Sequence, residues 1–438
     1  SRGLGDVYKR QDLTEKAETQ AIKVFGKNAK PLLLAAPLKG LTVMGFDPAY
    51  RTGCKIAVID ETGKLLATTT VYPTEPQNDV EGAKKELIAL IKEYNVNIIA
   101  IGNGTASRES ENFVSDMIKE LGNVHYAIVS EAGASVYSAS KLATEEFPNF
   151  DVGQRSATSM ARRLQDPLAE LVKIDPKSIG VGQYQHDMNQ KKLSEALGGV
   201  VEDCVNKVGV DLNTASVSLL EYISGISKTI AKNIVDYREE NGKFTSRSQL
   251  LKVAKLGPKA FEQCAGFMRI SDGKNPLDAT GVHPESYDAT KAVLEKLGYT
   301  MEDVKNRNVV GISKKVSDYK ALADEAGVGE ITLRDIVKEL EKPARDPRED
   351  MPKPILRSDV LEMKDLTPGM VLKGTVRNVI DFGCFVDIGV HQDGLVHISE
   401  ICDRYIKHPL EAVSVGDIVD VQAVSYTHLR AHETGRNL

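Results

Sequence analysis

The spacing of hydrophobic and polar positions divides the chain into three parts with different predicted structures. In the first part, β-like runs separated by short turns come first, and helical periodicity then alternates with buried-type strands. A strand meander that is followed by alternating helices and strands predicts a mixed α/β sheet. The elements predicted there are strands at 41–46, 55–59, 65–71, 97–101 and 126–129 and helices at 13–24, 82–94 and 109–121.

The second part is predicted to be helical and the third to be a small β-barrel. After residue 157 the spacing stays helical up to about residue 341, in short segments punctuated by glycine. Residues 341–359 carry four prolines and ten charges, which is typical of an extended linker. The barrel is predicted from β-rich runs with glycine turns at 371–380, 384–388, 394–398 and 417–424.

These shifts predict the boundaries of the domains. Residues 1–11 and 425–438 match neither the helical nor the strand pattern beside them and resemble translated sequencing-adapter sequence, so we expect both to be non-native. Because the second of these segments replaces the last strand, we also expect an open edge in the barrel. The segments predicted between them are a helical lead-in (12–40), an α/β domain (41–170), a region of paired helical hairpins (171–275), a small helical region (276–340), a linker (341–360) and the barrel (366–424).

Composition and charge exclude several classes of protein. The 438 residues are 41% hydrophobic and 27% charged, which excludes a disordered or fibrous chain. No apolar run approaches the ~18 residues that a membrane span needs, so we expect no membrane partner. The five cysteines are scattered and form no Cys-x-x-Cys pair, which favours a reducing cytoplasm. The net charge of −6 excludes nucleic-acid binding by bulk charge, so such binding has to rest on local sites.

Three carboxylates lie at predicted element ends, where they would suit metal chemistry. Asp47 ends the first strand, Glu131 follows the strand at 126–129, and Asp151 precedes a helix. Three acids brought together are what phosphodiester cleavage with two Mg²⁺ ions requires. The arrangement resembles the YqgF family, relatives of Holliday-junction resolvases with a ribonuclease-H-like fold. Because the strand at 97–101 ends without a carboxylate, we favour a degenerate site with no catalytic or metal-binding residues, and an active Mg²⁺ site is the alternative.

Two tight turns about thirty residues apart have the form of helix-hairpin-helix motifs. The small residues at such turns let backbone amides approach a phosphate, and the N-terminus of the following helix adds its positive dipole. Plain helical turns with capping glycines and solvated lysines are the alternative. The residues predicted to contact nucleic acid are Gly225, Ser227, Lys228 and Lys232 in the first hairpin and Gly257 and Lys259 in the second.

The β-rich C-terminal part closely resembles the S1 domain, an RNA-binding module with an OB-fold. Aromatic side chains on neighbouring strands of such a module stack on single-stranded bases with little sequence preference. From residue 370 to 424 four basic residues oppose eight acidic ones, which weakens the electrostatic attraction. Packing of Phe382 or Phe385 inside the barrel is the alternative. The residues predicted to contact nucleic acid are Lys373, Arg377, Phe382, Phe385 and His397.

The order of these parts resembles the bacterial Tex family. Segments at 51–55, 161–168, 181–187 and 278–285 are also similar to sequences of that family, and the resemblance covers residues 13–424. It implies a multidomain α+β protein with a ribonuclease-H-like α/β domain, a helix-hairpin-helix region and a truncated C-terminal S1-type OB-fold barrel. It further implies a transcription accessory protein that binds nucleic acid, with a YqgF-like domain that lacks nuclease activity, and a chain without the family's helical N-terminal region.

Three functions are compatible with these features. We favour a non-enzymatic scaffold that needs no cofactor and binds single-stranded RNA and DNA, and also duplex DNA, without sequence preference. The alternatives are a Mg²⁺-dependent structure-specific nuclease of the resolvase class and a protein-interaction platform on the transcription machinery. The segment at 278–285 has no chemistry that its residues reveal, so we expect a structural role for Asp278 and His283.

Overall fold

The computed structural model describes residues 2–180, 185–342, 346–357, 365–390, 392–424 and 428–431. Part of the segment at 181–187 therefore lies outside the described residues. The chain forms two compact units, one made of Ser1–Val201 with Asp350–Leu438 and the other of Glu202–Glu349. No helix in the described ranges is long and apolar enough to cross a membrane.

The helices and strands follow the predicted order. The first unit contains α1 (Arg2–Leu33), β1 (Val43–Asp47), β2 (Cys54–Ile59), β3 (Leu65–Val71), α2 (Val80–Tyr94), β4 (Ile98–Gly102), α3 (Ser107–Ile118), β5 (His125–Val129), α4 (Ala134–Ser138), α5 (Lys141–Glu146), α6 (Val152–Gln165) and α7 (Pro167–Leu171). Helix α8 (Gln190–Val208) leads into the second unit, with β6 (Val210–Asp211), α9 (Val217–Leu220), α10 (Lys228–Asn241), α11 (Pro258–Cys264), β7 (Met268–Arg269), α12 (Tyr287–Lys296), α13 (Met301–Lys305), α14 (Tyr319–Ala326) and α15 (Glu330–Glu341). The C-terminal strands are β8 (Val371–Ile380), β9 (Gly383–Asp387), β10 (Gly394–His397), β11 (Ile418–Ala423) and β12 (His428–Ala431).

The α/β domain is built on a five-stranded mixed sheet with the order β3-β2-β1-β4-β5. The meander β1 to β3 is antiparallel, whereas β4 and β5 run parallel to β1. Helices α2 and α3 provide the crossovers that parallel strands need, so the alternating pattern of the sequence produces this topology. The predicted ribonuclease-H-like class, with a helical region and an S1-type barrel, is confirmed.

Apolar cores on both faces hold this sheet between helices. One core joins side chains of β1, β2 and β4 to α2 and α3, and includes Phe46, Leu87 and Phe113. On the other face α6 packs so closely on β1 that a Cβ at Gly45 would lie 2.0 Å from the carbonyl oxygen of Ala157. The edge of β5 also pairs with the predicted linker, because Arg357 and Tyr126 exchange two backbone hydrogen bonds of 2.8 and 2.9 Å.

The N-terminal helix is longer than the sequence pattern predicted. We expected a helix at 13–24 and no regular structure at 1–11, but α1 runs from Arg2 to Leu33. The apolar stripe explains the C-terminal extension, because buried Ile22, Phe25, Ala29 and Leu33 continue at a spacing of three and four residues.

The C-terminal strands close into a barrel with the order β10-β12-β11-β8-β9. The prediction of an open edge is therefore wrong. Strand β12 lies in the segment 425–438, which was expected to be non-native, and it pairs with both β10 and β11. Edge strands present unpaired backbone N–H and C=O groups, and an extended segment of almost any sequence satisfies them.

Candidate nucleic-acid interface

The carboxylates of Asp47 and Glu131 meet at the end of the sheet. Because β1 and β5 run in the same direction, Asp47 at the end of β1 and Glu131 just after β5 lie at the same end of the sheet, where both strands finish. Burial raises the pKa of Asp47 to about 6 and the Glu131 charge adds to this, against the opposing effects of a hydrogen bond from Ser156 and the Lys55 charge. Burial also raises the pKa of Glu131, although the Gly104 amide and the Arg163 charge oppose it.

The other acidic residues near this edge have different partners. The Asp151 carboxylate caps α6 and accepts a hydrogen bond of 2.7 Å from the Gln154 amide. Glu109 accepts from the Tyr50 hydroxyl at 2.8 Å, and the buried Glu111 pairs with Arg108. Asn103, which occupies the place of the missing carboxylate, accepts a hydrogen bond of 3.0 Å from the Glu131 backbone N–H.

These contacts do not provide a metal site of the kind that nucleases of this fold require. Across the described ranges, no three His, Cys, Asp or Glu residues form a group that could hold a metal ion. Two-metal cleavage needs hard oxygen ligands from several residues at once. The residues present do not fit Mg²⁺.

The two predicted hairpins share one backbone conformation. Gly225 and Lys255 have φ angles of +80° and +65°, and the residues two positions later, Ser227 and Gly257, are extended and begin the following helices. The middle residues Ile226 and Leu256 are buried. Their amides donate hydrogen bonds of 3.0 and 3.2 Å to the carbonyls three residues earlier. The same geometry therefore arises whether glycine comes first or last in the turn.

The basic side chains of both hairpins face solvent. Lys228 and Lys232 on α10 and Lys259 on α11 are exposed. Within the part of the chain that the structure describes, none of the three has a carboxylate at ion-pair distance. Neither α10 nor α11 has an acidic residue in its first turn. An anion that approached these helix ends would meet amide groups, the helix dipole and unpaired ammonium groups together.

The barrel presents aromatic groups at the tip of β8 and β9. Phe382 lies in the turn between these strands and is 53% exposed. The half-buried Phe385 opposes Leu395 on β10, and His397 opposes Gly383. Because side chains alternate along a strand, Phe385 and His397 lie on the same face of the sheet. The alternative of packing inside the barrel does not describe Phe382.

The two predicted cations of the barrel differ in their surroundings. Lys373 is exposed on β8, whereas Arg377 donates to the Asp387 carboxylate at 3.0 Å. Burial would raise the pKa of Asp387, but the guanidinium groups of Arg377 and Arg357 outweigh it and hold this pKa below its ordinary value. Arg377 therefore serves an internal ion pair.

Arg247, which no sequence pattern indicated, is 1% exposed and organises the segment at 278–285. Asp278 accepts from the Arg247 backbone N–H at 3.2 Å and from the Tyr287 hydroxyl at 2.5 Å. His283, also expected to be structural, contacts the Glu262 carbonyl at 2.7 Å. The guanidinium donates to carbonyl oxygens of Met268 (2.6 Å), Val282 (2.7 Å), Leu277 (3.4 Å) and Thr280, and to the Tyr287 hydroxyl (2.9 Å).

Family models match four consecutive parts of the chain. They describe a Tex protein YqgF-like domain at residues 41–165, a helix-hairpin-helix motif at 205–269, an HHH domain at 275–348 and an S1 RNA binding domain at 365–424. These matches include the sheet edge with Asp47 and Glu131, both hairpins and the barrel.

Curated relatives are similar over nearly the whole chain. "Protein tex" of Bordetella pertussis is 54% identical over 94% of this chain and 52% of its own length, and "Transcriptional accessory protein Tex" of Neisseria gonorrhoeae is 53% identical over 94% and 54%. The human "S1 RNA-binding domain-containing protein 1" is 39% identical over 95% and 48%. The chain thus spans about half the length of the curated relatives it matches. With the YqgF-like, hairpin and S1 parts in this order, the chain belongs to the Tex family.

Proposed function

We propose that this chain is a nucleic-acid-binding accessory protein of transcription, in which the hairpins hold phosphates and the barrel stacks on unpaired bases. The observation that carries the proposal is the shared geometry of the two hairpins. Two turns with different sequences adopt the same conformation. The first is followed by two exposed lysines and the second by one, and neither helix has an acidic residue in its first turn. Duplicated turns of this kind suit the sugar-phosphate backbone and read no base.

The barrel adds a second mode of contact. Phe382, Phe385 and His397 offer stacking surfaces, and exposed Lys373 supplies a charge, so we propose that the barrel contacts single-stranded RNA or DNA. With four basic residues against eight acidic ones from 370 to 424, stacking has to contribute more than charge there. The hairpins, in a region with ten basic and eight acidic residues between 200 and 270, contact duplex DNA through charge.

Fluorescence anisotropy with labelled single-stranded RNA, single-stranded DNA and duplex DNA across a salt series tests this division. Phe382→Ala is expected to weaken single-strand binding about tenfold, within the ~1–3 kcal/mol that one stacked base contributes. Val371→Ala is the matched control, because Val371 is 44% exposed at the opposite end of β8. Lys228→Gln is expected to weaken duplex binding and to lower the salt slope by about one, while the exposed Lys243→Gln does neither.

Two outcomes would contradict the proposal. If the unaltered chain binds none of the three ligands at low salt, nucleic-acid binding is excluded. If it binds but Phe382→Ala and Lys228→Gln leave every affinity and salt slope unchanged, the assignment of these residues is wrong.

We also propose that this binding serves the transcription machinery in the cytoplasm. The support is the similarity to a relative in Neisseria gonorrhoeae that is named as a transcriptional accessory protein. Capture of RNA polymerase by the immobilised chain, before and after nuclease digestion, tests it. Capture that requires intact nucleic acid supports the scaffold, whereas capture that survives digestion favours direct protein contacts.

A further inference from the structure

A second concentration of positive charge lies outside the two hairpins. Residues 304–317, here called the basic loop, contain Lys305, Arg307, Lys314 and Lys315 and no acidic residue, in a chain whose net charge is −6. All four cationic side chains are exposed. The loop joins α13 to α14 in the second unit.

The basic loop has a fixed backbone. Val309 and Ile312 are both 0% exposed and belong to the apolar core of the surrounding helices. The Asn308 amide donates to the Asp303 carbonyl at 2.8 Å, and the Ser313 hydroxyl donates to the Glu341 carboxylate at 2.5 Å. Because the apolar residues anchor the loop from inside, its cationic residues are held on the outer side.

The cationic groups are not neutralised by carboxylates. In the ranges that the structure covers, none of the four has an acidic partner at ion-pair distance, and the nearby Glu341 carboxylate is occupied by Ser313. The Lys315 ammonium lies 4.2 Å from the centre of the Tyr299 ring. Ammonium and guanidinium groups that face water without partners are available to an anionic ligand.

The hairpin-like turns of the same region are unsuited to that ligand. The turns at 298–300 and 327–329 repeat the conformation of the first two hairpins, with Gly298 at φ +82° and Gly327 at φ +73°. The helices that follow begin with acidic residues, however: Glu302 and Asp303 in α13 and Glu330 in α15. A carboxylate at a helix N-terminus cancels the field that would attract a phosphate. In this region the loop, and not the helix N-termini, therefore offers positive charge to a phosphate.

We propose that the basic loop is an additional binding site for the phosphate backbone of duplex nucleic acid. This inference rests on the proposed function. The loop contains no aromatic residue, and Lys315 covers the Tyr299 ring that it contacts, so it offers charge without a stacking surface. Single-strand sites combine charge with aromatic platforms, whereas a duplex backbone requires charge alone.

The test compares two triple variants of the full chain in anisotropy titrations with a 30-base-pair duplex and a 30-nucleotide single strand. Lys305→Gln, Arg307→Asn and Lys314→Gln remove three of the four positive charges of the loop, with Asn chosen because Arg307 has a φ of +58°. The control neutralises Lys291, Lys296 and Lys338, three exposed residues of the same region outside the loop. Both variants change the net charge by the same amount.

The loop variant is expected to bind the duplex at least about tenfold more weakly at 0.1 M salt and to lower its salt slope by about two to three. The control variant should retain the affinity of the unaltered chain, and single-strand binding should change less than duplex binding. If the loop and control variants bind the duplex alike, the basic loop is not a binding site, although the proposed function stands. If the unaltered chain binds the single strand but no duplex, the basic loop is not a duplex site and only the barrel part of the proposed function stands. If it binds neither ligand, both proposals fail.

Discussion

Replacement of Arg247 by methionine tests how the second unit is held together. Arg247 is among the largest fully buried side chains, and its guanidinium bonds to four carbonyl oxygens and one hydroxyl. These acceptors belong to residues 268–287, which connect the second hairpin with the helices from α12 onward. Methionine keeps much of the apolar stem but provides no donor.

The expected loss of stability follows from the stranded acceptors. A buried acceptor that loses its partner costs ~1–3 kcal/mol. Four carbonyl groups lose a charged donor here, and partial relaxation will satisfy some of them. We expect a fall of about 4 kcal/mol in the free energy of unfolding of the second unit, within the ~5–15 kcal/mol typical of whole domains. The free energy of unfolding of the Arg247→Lys variant should fall nearly as far, because one ammonium group cannot reach the five acceptors.

Hydrogen exchange followed by mass spectrometry resolves the two units and therefore suits this prediction. Peptides from 202–349 should lose protection in Arg247→Met, while those from 41–165 keep it. Arg334→Met is the control, because Arg334 is exposed and lies over the Tyr319 ring. A loss below about 1 kcal/mol for Arg247→Met, or equal effects for both variants, would refute the argument.

Three further substitutions test local energetics. The folded-state pKa of Asp47, about 6 against an ordinary 3.8, means that stability falls as pH rises between these values. Asp47→Asn should therefore match the unaltered chain near pH 3.5 and exceed it by at most about 3 kcal/mol at pH 7 in urea titrations; a difference independent of pH contradicts this. Gly225→Ala should lower the melting temperature, since its φ is +80° and a Cβ would lie 2.8 Å from Cβ of Gln263. Lys255→Gly, at φ +65°, should raise the melting temperature. If both variants shifted the melting temperature in the same direction, the argument from backbone strain would be contradicted.

The sequence predicted the elements of the α/β sheet because its central strands β1, β2 and β4 are almost wholly buried and leave a strong apolar signal. The strand at 65–71 and the strand at 371–380 have the predicted bounds. The first turns of α1 and the closing strand β12 were missed for another reason. Both lie in segments that were expected to be non-native because they resemble adapter sequence, and backbone hydrogen bonding does not depend on the origin of a segment.

The candidate site was less predictable, since a sequence does not show which hydrogen-bond or ion-pair partner a polar side chain will have. Asp151 caps a helix, and Arg377 pairs with Asp387, although both have residue types that suit the predicted roles. No sequence pattern indicates the role of Arg247, because its acceptors are mainly backbone carbonyls, which every sequence has. The segment at 278–285 could be recognised in the sequence, but Arg247 lies 31 residues before Asp278.

The internal use of Arg377 has a consequence for how the two binding modes depend on salt. If Arg377 turned to a phosphate, the buried Asp387 would lose its nearest opposing charge, so this arginine cannot contribute freely to binding. Lys373 faces Asp420 across the strand pair, which weakens its charge as well. Under the proposed function, the barrel would therefore bind mainly by stacking, whose strength changes little with salt, whereas the lysines of the hairpins and the basic loop would act by releasing counterions. Duplex binding should consequently decline steeply with salt while single-strand binding persists.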